Sequence, residues 1–330
     1  MSQFRQDPVS KDWIIISTGR KNRPMDFKSA RSERISSPKE TCPFEDLEKS
    51  GNLPIFYAFP DEKNWEVAVI PNKYPAININ ELCANEGVVG PYKVVEGVGR
   101  HELVITRDHD GNFTTLPDEQ LKRLFLTFKE RFKYLENDPC SNYASLFQSY
   151  GPTAGGSLYH PHYQILALPI VPPDIKRSLE GSLRYYRETG NCVHCEILKY
   201  ELHSGARIVY EDDGVVAIAP FASRAPYEIR VFPKKHQSHF EESSDETIFH
   251  AAKVSAKVLN AIKSVLGDPD YNFFLHTSPF HGKTEYSHYH WHMEIIPKMS
   301  LFGGFEWSTG VDINSVDPDE ATKLLKEAIK

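Results

Sequence analysis

Long apolar runs are missing from this chain. Its longest, such as residues 165–171, fall far short of the ~18 residues that a membrane helix needs, which argues against a membrane-spanning protein. A basic excess is missing too. The 38 Lys and Arg stand against 45 Asp and Glu, a net charge of −7, which speaks against a protein that coats nucleic acid. Residues 1–13 carry no apolar signal segment, so the expected location is cytoplasmic. Cysteine is scarce and odd in number: Cys42, Cys83, Cys140, Cys192 and Cys195 are poorly suited to a disulfide framework. In a cytosolic chain, close cysteine pairs more often bind metal. Histidine is the residue in excess, with 14 copies, several of them clustered. The 330 residues, 40% hydrophobic and 12% aromatic, can fill the cores of two domains at ~100–200 residues each.

The first 60 residues read as loop-rich, with basic residues at Arg20, Lys21 and Arg23. Strand-like alternation opens residues 65–77 and recurs at 101–109. Leu121, Leu124, Phe125, Phe128 and Phe132 then follow helical spacing. A strand at 143–148, a glycine-rich turn at 151–157 and a strand from 160 complete the unit. The second half repeats this order. A hairpin at 207–221 and a strand at 227–236 precede an amphipathic helix at 245–266 and strands near 271–279 and 290–297. The histidines sharpen the match: His109 and His160 in the first half answer to His236 and His290 in the second. His160-Pro161-His162-Tyr163-Gln164 lies opposite His290-Trp291-His292-Met293-Glu294. Each half also begins with a short cysteine element. Such self-similarity marks a duplicated unit, with residues 172–181 as the expected linker. The expected domains are 1–175, carrying the nucleophile, and 176–330.

Chemistry concentrates at Gly151-Pro152-Thr153-Ala154-Gly155-Gly156-Ser157, which leads into the first histidine pair. Small residues let backbone N–H groups approach phosphate oxygens, and Ser157 adds a hydroxyl donor. On an extended strand, residues i and i+2 share a face, so His160, His162 and Gln164 can present three polar groups together. A neutral imidazole is nucleophilic near pH 7 and can form a covalent phosphoramidate.

The order Asn72-Lys73-Tyr74-Pro75-Ala76, glycine turn, Ser157 and His160-Pro161-His162-x-Gln164 resembles the galactose-1-phosphate uridylyltransferase family of the histidine-triad superfamily. The resemblance implies an α+β fold of two tandem histidine-triad-like units, antiparallel sheets with helices. It implies that His162 is the nucleophile and that Gln164 hydrogen-bonds the transferring phosphoryl group. Gly155 and Ser157 match the phosphate-contacting turn, and Asn72 matches an asparagine on the nucleoside side. Gly304-Phe305-Glu306 resembles a family segment whose Glu contacts the hexose. Ser149 departs from the family, which usually has Asn there.

Two metal groups are expected, with zinc as the ion. Cys42, His109 and His160, with Glu45 as the fourth residue, combine thiolate, imidazole and carboxylate, which suit a tetrahedral ion. Glu45 departs from the C-x-x-C that the family carries at this point. Cys192-x-x-Cys195 with His236 and His290 occupies the equivalent positions of the second half. His194, His239, His288 and His292 are nearby alternatives. At His292, Glu294 replaces Gln164, and an anionic side chain repels a transferring phosphate. Catalysis is therefore assigned to His162.

The expected function is nucleotidyl transfer by a ping-pong route. UDP-glucose:hexose-1-phosphate uridylyl transfer is the first choice, and ADP-glucose phosphorolysis is the alternative, since the C-x-x-C at 192–195 resembles the plant branch of the family. A metal-stapled nucleotide-binding module without catalysis is the non-enzyme reading. The expected partners are a nucleotide sugar and a hexose 1-phosphate, with no nucleic acid and no membrane, and a homodimer stays open.

Overall fold

The computed structural model describes residues 2–22, 36–80, 82–299 and 302–329; Arg23 lies outside the described residues. The first half contains β1 (Gln3–Gln6), β2 (Trp13–Ile16), β3 (Tyr57–Phe59), β4 (Val67–Pro71), β5 (Glu86–Val89) and β6 (Tyr92–Val95). It continues through β7 (Arg100–Thr106), α1 (Asp118–Glu136), β8 (Tyr143–Tyr150) and β9 (His162–Leu168). Two helices follow, α2 (Pro173–Thr189) and α3 (Val193–Ser204). The second half runs β10 (Ile208–Glu211), β11 (Val215–Ile218), β12 (Ile229–Pro233), α4 (Asp245–Leu266), β13 (Tyr271–His276) and β14 (His292–Pro297). It closes with α5 (Gly304–Thr309), β15 (Asp312–Asn314) and α6 (Pro318–Ala328).

Ten strands pair in the order β10-β11-β12-β14-β13-β8-β9-β7-β4-β3. Every pairing in this sheet is antiparallel. Read outward from the central β8–β13 pair, the order is the same on both sides, with β8, β9, β7, β4 and β3 answering to β13, β14, β12, β11 and β10. The duplication therefore appears as a pseudo-two-fold within one continuous sheet. In addition, β15 joins β2 in parallel beside β1, so the two ends of the chain share a small three-stranded sheet.

The apolar stripes decide which face of the large sheet is filled. Leu121, Leu124, Phe125, Phe128 and Phe132 of α1 are all buried, as are Ile248, Ala252, Val258, Leu259 and Ile262 of α4. They share one core with Tyr163, Ile165 and Ala167 of β9 and Met293 and Ile295 of β14. Because strand side chains alternate, His162 and Gln164 project from the opposite face, as do His292 and Glu294. Ser244 caps α4 by accepting the Thr247 N–H, and Gly267 ends it in the left-handed region. At β7 the alternation places Glu102 toward α1 and His101 toward the histidine face.

Three expectations need correction. The expected linker at 172–181 is helical rather than irregular, because α2 begins at Pro173, where the absent N–H of proline costs a helix nothing. The first 60 residues are less irregular than their composition suggests, since β1 and β2 form a hairpin that β15 extends. Cys83 and Cys140 are joined as a disulfide, although the odd cysteine count argued against a disulfide framework.

The Arg131–Glu102 pair ties α1 to β7. Nε and NH2 of Arg131 donate to the two carboxylate oxygens at 2.9 and 2.7 Å, and Glu102 is 0% exposed. Removing one partner of such a buried pair strands the other charge, which costs about 3–5 kcal/mol. Glu102→Ala is therefore expected to lose stability of that size in chemical denaturation. A loss below about 1 kcal/mol, the range of surface pairs, would show that the pair does not hold the helix.

Candidate active site and its two metal-compatible groups

β9 begins at His162, immediately after His160-Pro161. The His162 Nδ1 lies 3.0 Å from the His160 carbonyl oxygen. A carbonyl only accepts, so Nδ1 carries the proton and, in the neutral ring, the lone pair sits on Nε2. Phe44 packs against both rings, with centroids 5.4 Å from His160 and 5.6 Å from His162. Gln164, two residues along the strand, places Oε1 2.9 Å from Nε2 of His101. His101 in turn accepts the Ala76 N–H at Nδ1, 3.1 Å away, and its carbonyl accepts the Asn72 N–H at 2.8 Å. The Asn72 side chain bends back to accept the Tyr74 N–H through Oδ1 and sets its Nδ2 3.1 Å from His101 Nε2. The structure thus gathers Asn72, His101 and Gln164 beside the strand that carries His162. Burial pushes His101 below the ordinary imidazole value, and the Gln164 bond opposes that shift, so the ring is neutral near pH 7.

The glycine turn connects β8 to this strand. Gly151 and Gly155 have φ of 85° and 92°, in the region that favours glycine. A Cβ on Gly156 would sit 2.5 Å from the Ser149 carbonyl oxygen. Asp270, at the start of β13, holds the turn by accepting from the Thr153 N–H and hydroxyl at 2.7 and 2.6 Å. Gly155 and Ser157 are exposed, which leaves the turn's rim open. Glu306 stands outside this cluster: its Oε2 accepts the Gly303 N–H and closes the start of α5. Sequence reasoning missed His101 and Asp270. The buried histidine at the start of a strand was the available signal for the first, and nothing local marks the second.

Both expected metal groups converge. Cys42, Glu45, His109 and His160 bring one donor atom each within 4.8 Å of one another, and so do Cys192, Cys195, His236 and His290. The ring orientations fit a bound ion. Nε2 of His109, His160 and His236 donates to the carbonyls of Ser37, Thr106 and Ser287, each at 2.8 Å. That leaves the Nδ1 lone pairs facing inward, toward Glu45 Oε1 at 3.0 Å, Cys42 Sγ at 3.5 Å and Cys195 Sγ at 3.3 Å. Outer hydrogen bonds of this kind orient metal-binding histidines. His290 Nδ1 lies 3.6 Å from the same Cys195 sulfur. The alternatives bond elsewhere: His239 Nε2 to the Pro279 carbonyl and His288 Nε2 to the Leu179 carbonyl, and His194 Nε2 beside the Ser182 hydroxyl.

The second half places His292 where the first has His162, but its surroundings differ. His292 is 2% exposed, and its Nε2 lies 3.4 Å from Glu294 Oε1. Glu294 is itself held by Arg224 and Arg230, whose charges keep its carboxyl well below the usual range despite complete burial. The His292 Nε2 therefore faces an anionic carboxylate rather than a neutral amide, beside a cavity of about 200 Å³ that Arg224 and Arg230 also line. His276, His292 and Glu294 also converge, a third group that the sequence did not suggest.

A family model described as the HIT domain matches residues 201–300, and one described as the N-terminal domain of a domain of unknown function (DUF4931) matches residues 87–171. An ADP-glucose phosphorylase of Arabidopsis thaliana is 33% identical over 98% of this chain and 92% of its own. A galactose-1-phosphate uridylyltransferase of Thermotoga maritima is 29% identical over 99% of this chain and 98% of its own. Among solved structures, an Arabidopsis thaliana ADP-glucose phosphorylase with bound ADP-glucose superposes with a TM-score of 0.84 at 31% identity, covering 99% of each chain. A uridylyltransferase superposes with a TM-score of 0.75 at 28% identity, over 100% of this chain and 98% of that one. Among the described residues, no helix is long and apolar enough to cross a membrane.

The two metal-compatible groups give separable expectations. Cys192→Ser should lower the metal content of the purified protein by about one ion per chain and lower its melting temperature with it, because metal bound only by the folded chain is folding free energy. Unchanged metal content would remove that group. Glu45→Gln keeps the shape and deletes a charge, so in a background lacking Cys192 and Cys195 it should weaken metal binding. If that background holds no metal while Glu45 is intact, the first group is not a metal site.

Proposed function

The chain belongs to the galactose-1-phosphate uridylyltransferase family of histidine-triad proteins, nucleotidyltransferases of sugar phosphates, and on that premise we propose that it phosphorolyses ADP-glucose through an adenylyl group carried on His162. The observation that carries the covalent step is the His162 Nδ1 bond to the His160 carbonyl, which places the nucleophilic lone pair on Nε2. Nε2 attacks the α-phosphorus, and the N–P bond forms as the bond to the bridging oxygen breaks. Glucose 1-phosphate leaves with the bond's electrons. The adduct makes the ring cationic, and the His160 carbonyl stays on Nδ1–H to stabilise that charge. An oxygen of inorganic phosphate then attacks the same phosphorus, which releases ADP and restores the neutral ring.

The residues around His162 divide this work. Gln164 donates to the transferring phosphoryl, while Gly155 and Ser157 form the open turn that receives it. Asn72 meets the nucleoside side. Residues 1–175 make up the unit with the nucleophile, and residues 176–330 the unit with the second metal group and Glu306 on the hexose side. Zinc is the ion that suits both donor sets, being bound well by thiolate, imidazole and carboxylate together. It supplies rigidity: His160 contributes its ring to the first group and its carbonyl to the nucleophile, so a fixed His160 fixes His162. Adenylyl transfer is placed ahead of the uridylyl transfer first expected because the similarity to the ADP-glucose phosphorylase is higher in both sequence and structure. Uridylyl transfer to a hexose 1-phosphate remains the second reading, favoured by the full-length match to the Thermotoga enzyme and by Gly304-Phe305-Glu306.

Intact mass spectrometry after incubation with ADP-glucose or UDP-glucose decides between them. One adenylyl group should appear on the wild-type chain with ADP-glucose and none on His162→Gly. A uridylyl group with UDP-glucose alone would select the second reading. No adduct from either would overturn covalent catalysis and leave a nucleotide-binding module.

A further inference from the structure

We propose that His101 is a positioning residue for the transfer reaction, one that aims the Gln164 amide and couples it to the Asn72–Ala76 loop. The proposal rests on the reading of His162 as the nucleophile and of Gln164 as its phosphoryl donor. It goes beyond that reading by naming what sets the donor's orientation.

A glutamine side chain has two ends of similar shape and opposite chemistry. Pointed one way, Gln164 offers N–H groups to a phosphoryl oxygen; flipped, it offers a carbonyl oxygen that repels the same atom. Something must choose between them, and His101 has the means. Its Nδ1 accepts the Ala76 N–H at 3.1 Å, and a backbone N–H cannot do otherwise than donate. Nδ1 is therefore the unprotonated nitrogen of the neutral ring, and Nε2 carries the hydrogen. That hydrogen points at Gln164 Oε1, 2.9 Å away, so the oxygen end is held and the amino end is left as the donor toward substrate. The Asn72 amide nitrogen, 3.1 Å from the same Nε2, is a donor beside a donor, a contact but not a bond in this tautomer. Asn72 Oδ1 is committed to the Tyr74 N–H.

The ring is suited to the task by its setting. His101 is 8% exposed and stands on β7 opposite Leu166, with Leu103 paired to Gln164 beside it. Its carbonyl also accepts the Asn72 N–H at 2.8 Å. One residue therefore reads the backbone of the nucleoside-side loop with its Nδ1 and sets the phosphoryl-side amide with its Nε2. When the loop is in place the tautomer is fixed, and with it the polarity of Gln164. The second half has no such device, because Glu294 has two equivalent oxygens and needs no orientation.

Two substitutions separate the functions. His101→Gln reaches as far as Nε2 and keeps a donor for Gln164; His101→Asn reaches only as far as Nδ1 and keeps an acceptor for Ala76. In single-turnover adduct formation with ADP-glucose, His101→Asn should slow the step by about 10–100-fold, the scale of a mispositioned reacting group, with little change in KM. His101→Gln should recover most of that rate while raising KM, because the loop has lost its acceptor. In a Gln164→Ala background, His101→Asn should add no further loss, since interacting residues are not additive. Full additivity with the adduct still forming on His162, or equal rates for His101→Gln and His101→Asn, would overturn the proposal and leave the covalent reading standing. Absence of an adduct from the wild type would instead sink the covalent reading. A readout independent of turnover is the 15N spectrum of His101, which should show Nε2–H across neutral pH; an Nδ1–H tautomer would refute the proposal whatever the kinetics.

Discussion

His109, His160, His162 and His236 each give one ring nitrogen to a backbone carbonyl, and that commitment decides what the other nitrogen can do. His109, His160 and His236 donate from Nε2, so their Nδ1 atoms turn toward cysteine or glutamate. His162 donates from Nδ1, so its lone pair is on Nε2. The same residue type presents Nδ1 at one position and the Nε2 lone pair two positions later. The carbonyls involved are fixed by strands and turns, which is why the chemistry depends on backbone geometry more than on neighbouring side chains. Thr106 ends β7, and its carbonyl orients His160, whose own carbonyl orients His162. A displacement of β7 would pass through both rings before it reached substrate.

The two halves set one strand architecture in two electrostatic environments. Both present an x-His-x-His-x-polar strand, both back it with a long helix, and both gather a cysteine-bearing group beside it. They differ in the polar residue two positions after the second histidine. Gln164 is neutral and has one end engaged by a neutral His101. Glu294 is anionic and fully buried, so it demands Arg224 and Arg230. A buried carboxylate without such partners would be far too costly to keep. The second half therefore carries an ion network where the first has a neutral amide, and Asp7 extends it to the N-terminal hairpin through Arg230 at 3.2 Å.

Much of this was legible in the residues because periodicity and burial agree. The apolar stripes of α1 and α4 and the alternation of β9 and β14 are strong local signals, and tertiary structure did not override them. The paired histidine positions revealed the duplication, since each falls at the same point of its unit. The join between the halves was not legible. Two strands, β8 and β13, meet through backbone hydrogen bonds that any alternating segment could form, and sequence carries no mark of which edge seeks which. The helical character of residues 172–181 was not legible either, although proline at 173 starts a helix well. His101 escaped notice for a related reason. A buried histidine on a strand is ordinary, and its role becomes visible only when the Ala76 N–H and the Gln164 amide are seen on either side of one ring.

The seam between β8 and β13 shapes the glycine turn of the first half. The glycine turn follows β8 directly, and its anchor, Asp270, belongs to the other half, one residue before β13. Thr153 gives that carboxylate both its N–H and its hydroxyl, and the side chain at 151 must be absent because Asp270 fills its place. The glycine turn is therefore shaped by a residue more than 100 positions away, across a pairing that exists only when both units are folded. Losing the pairing of β13 with β8 would take Asp270 away from Thr153, and with it the anchor that the second half supplies to the first half's turn.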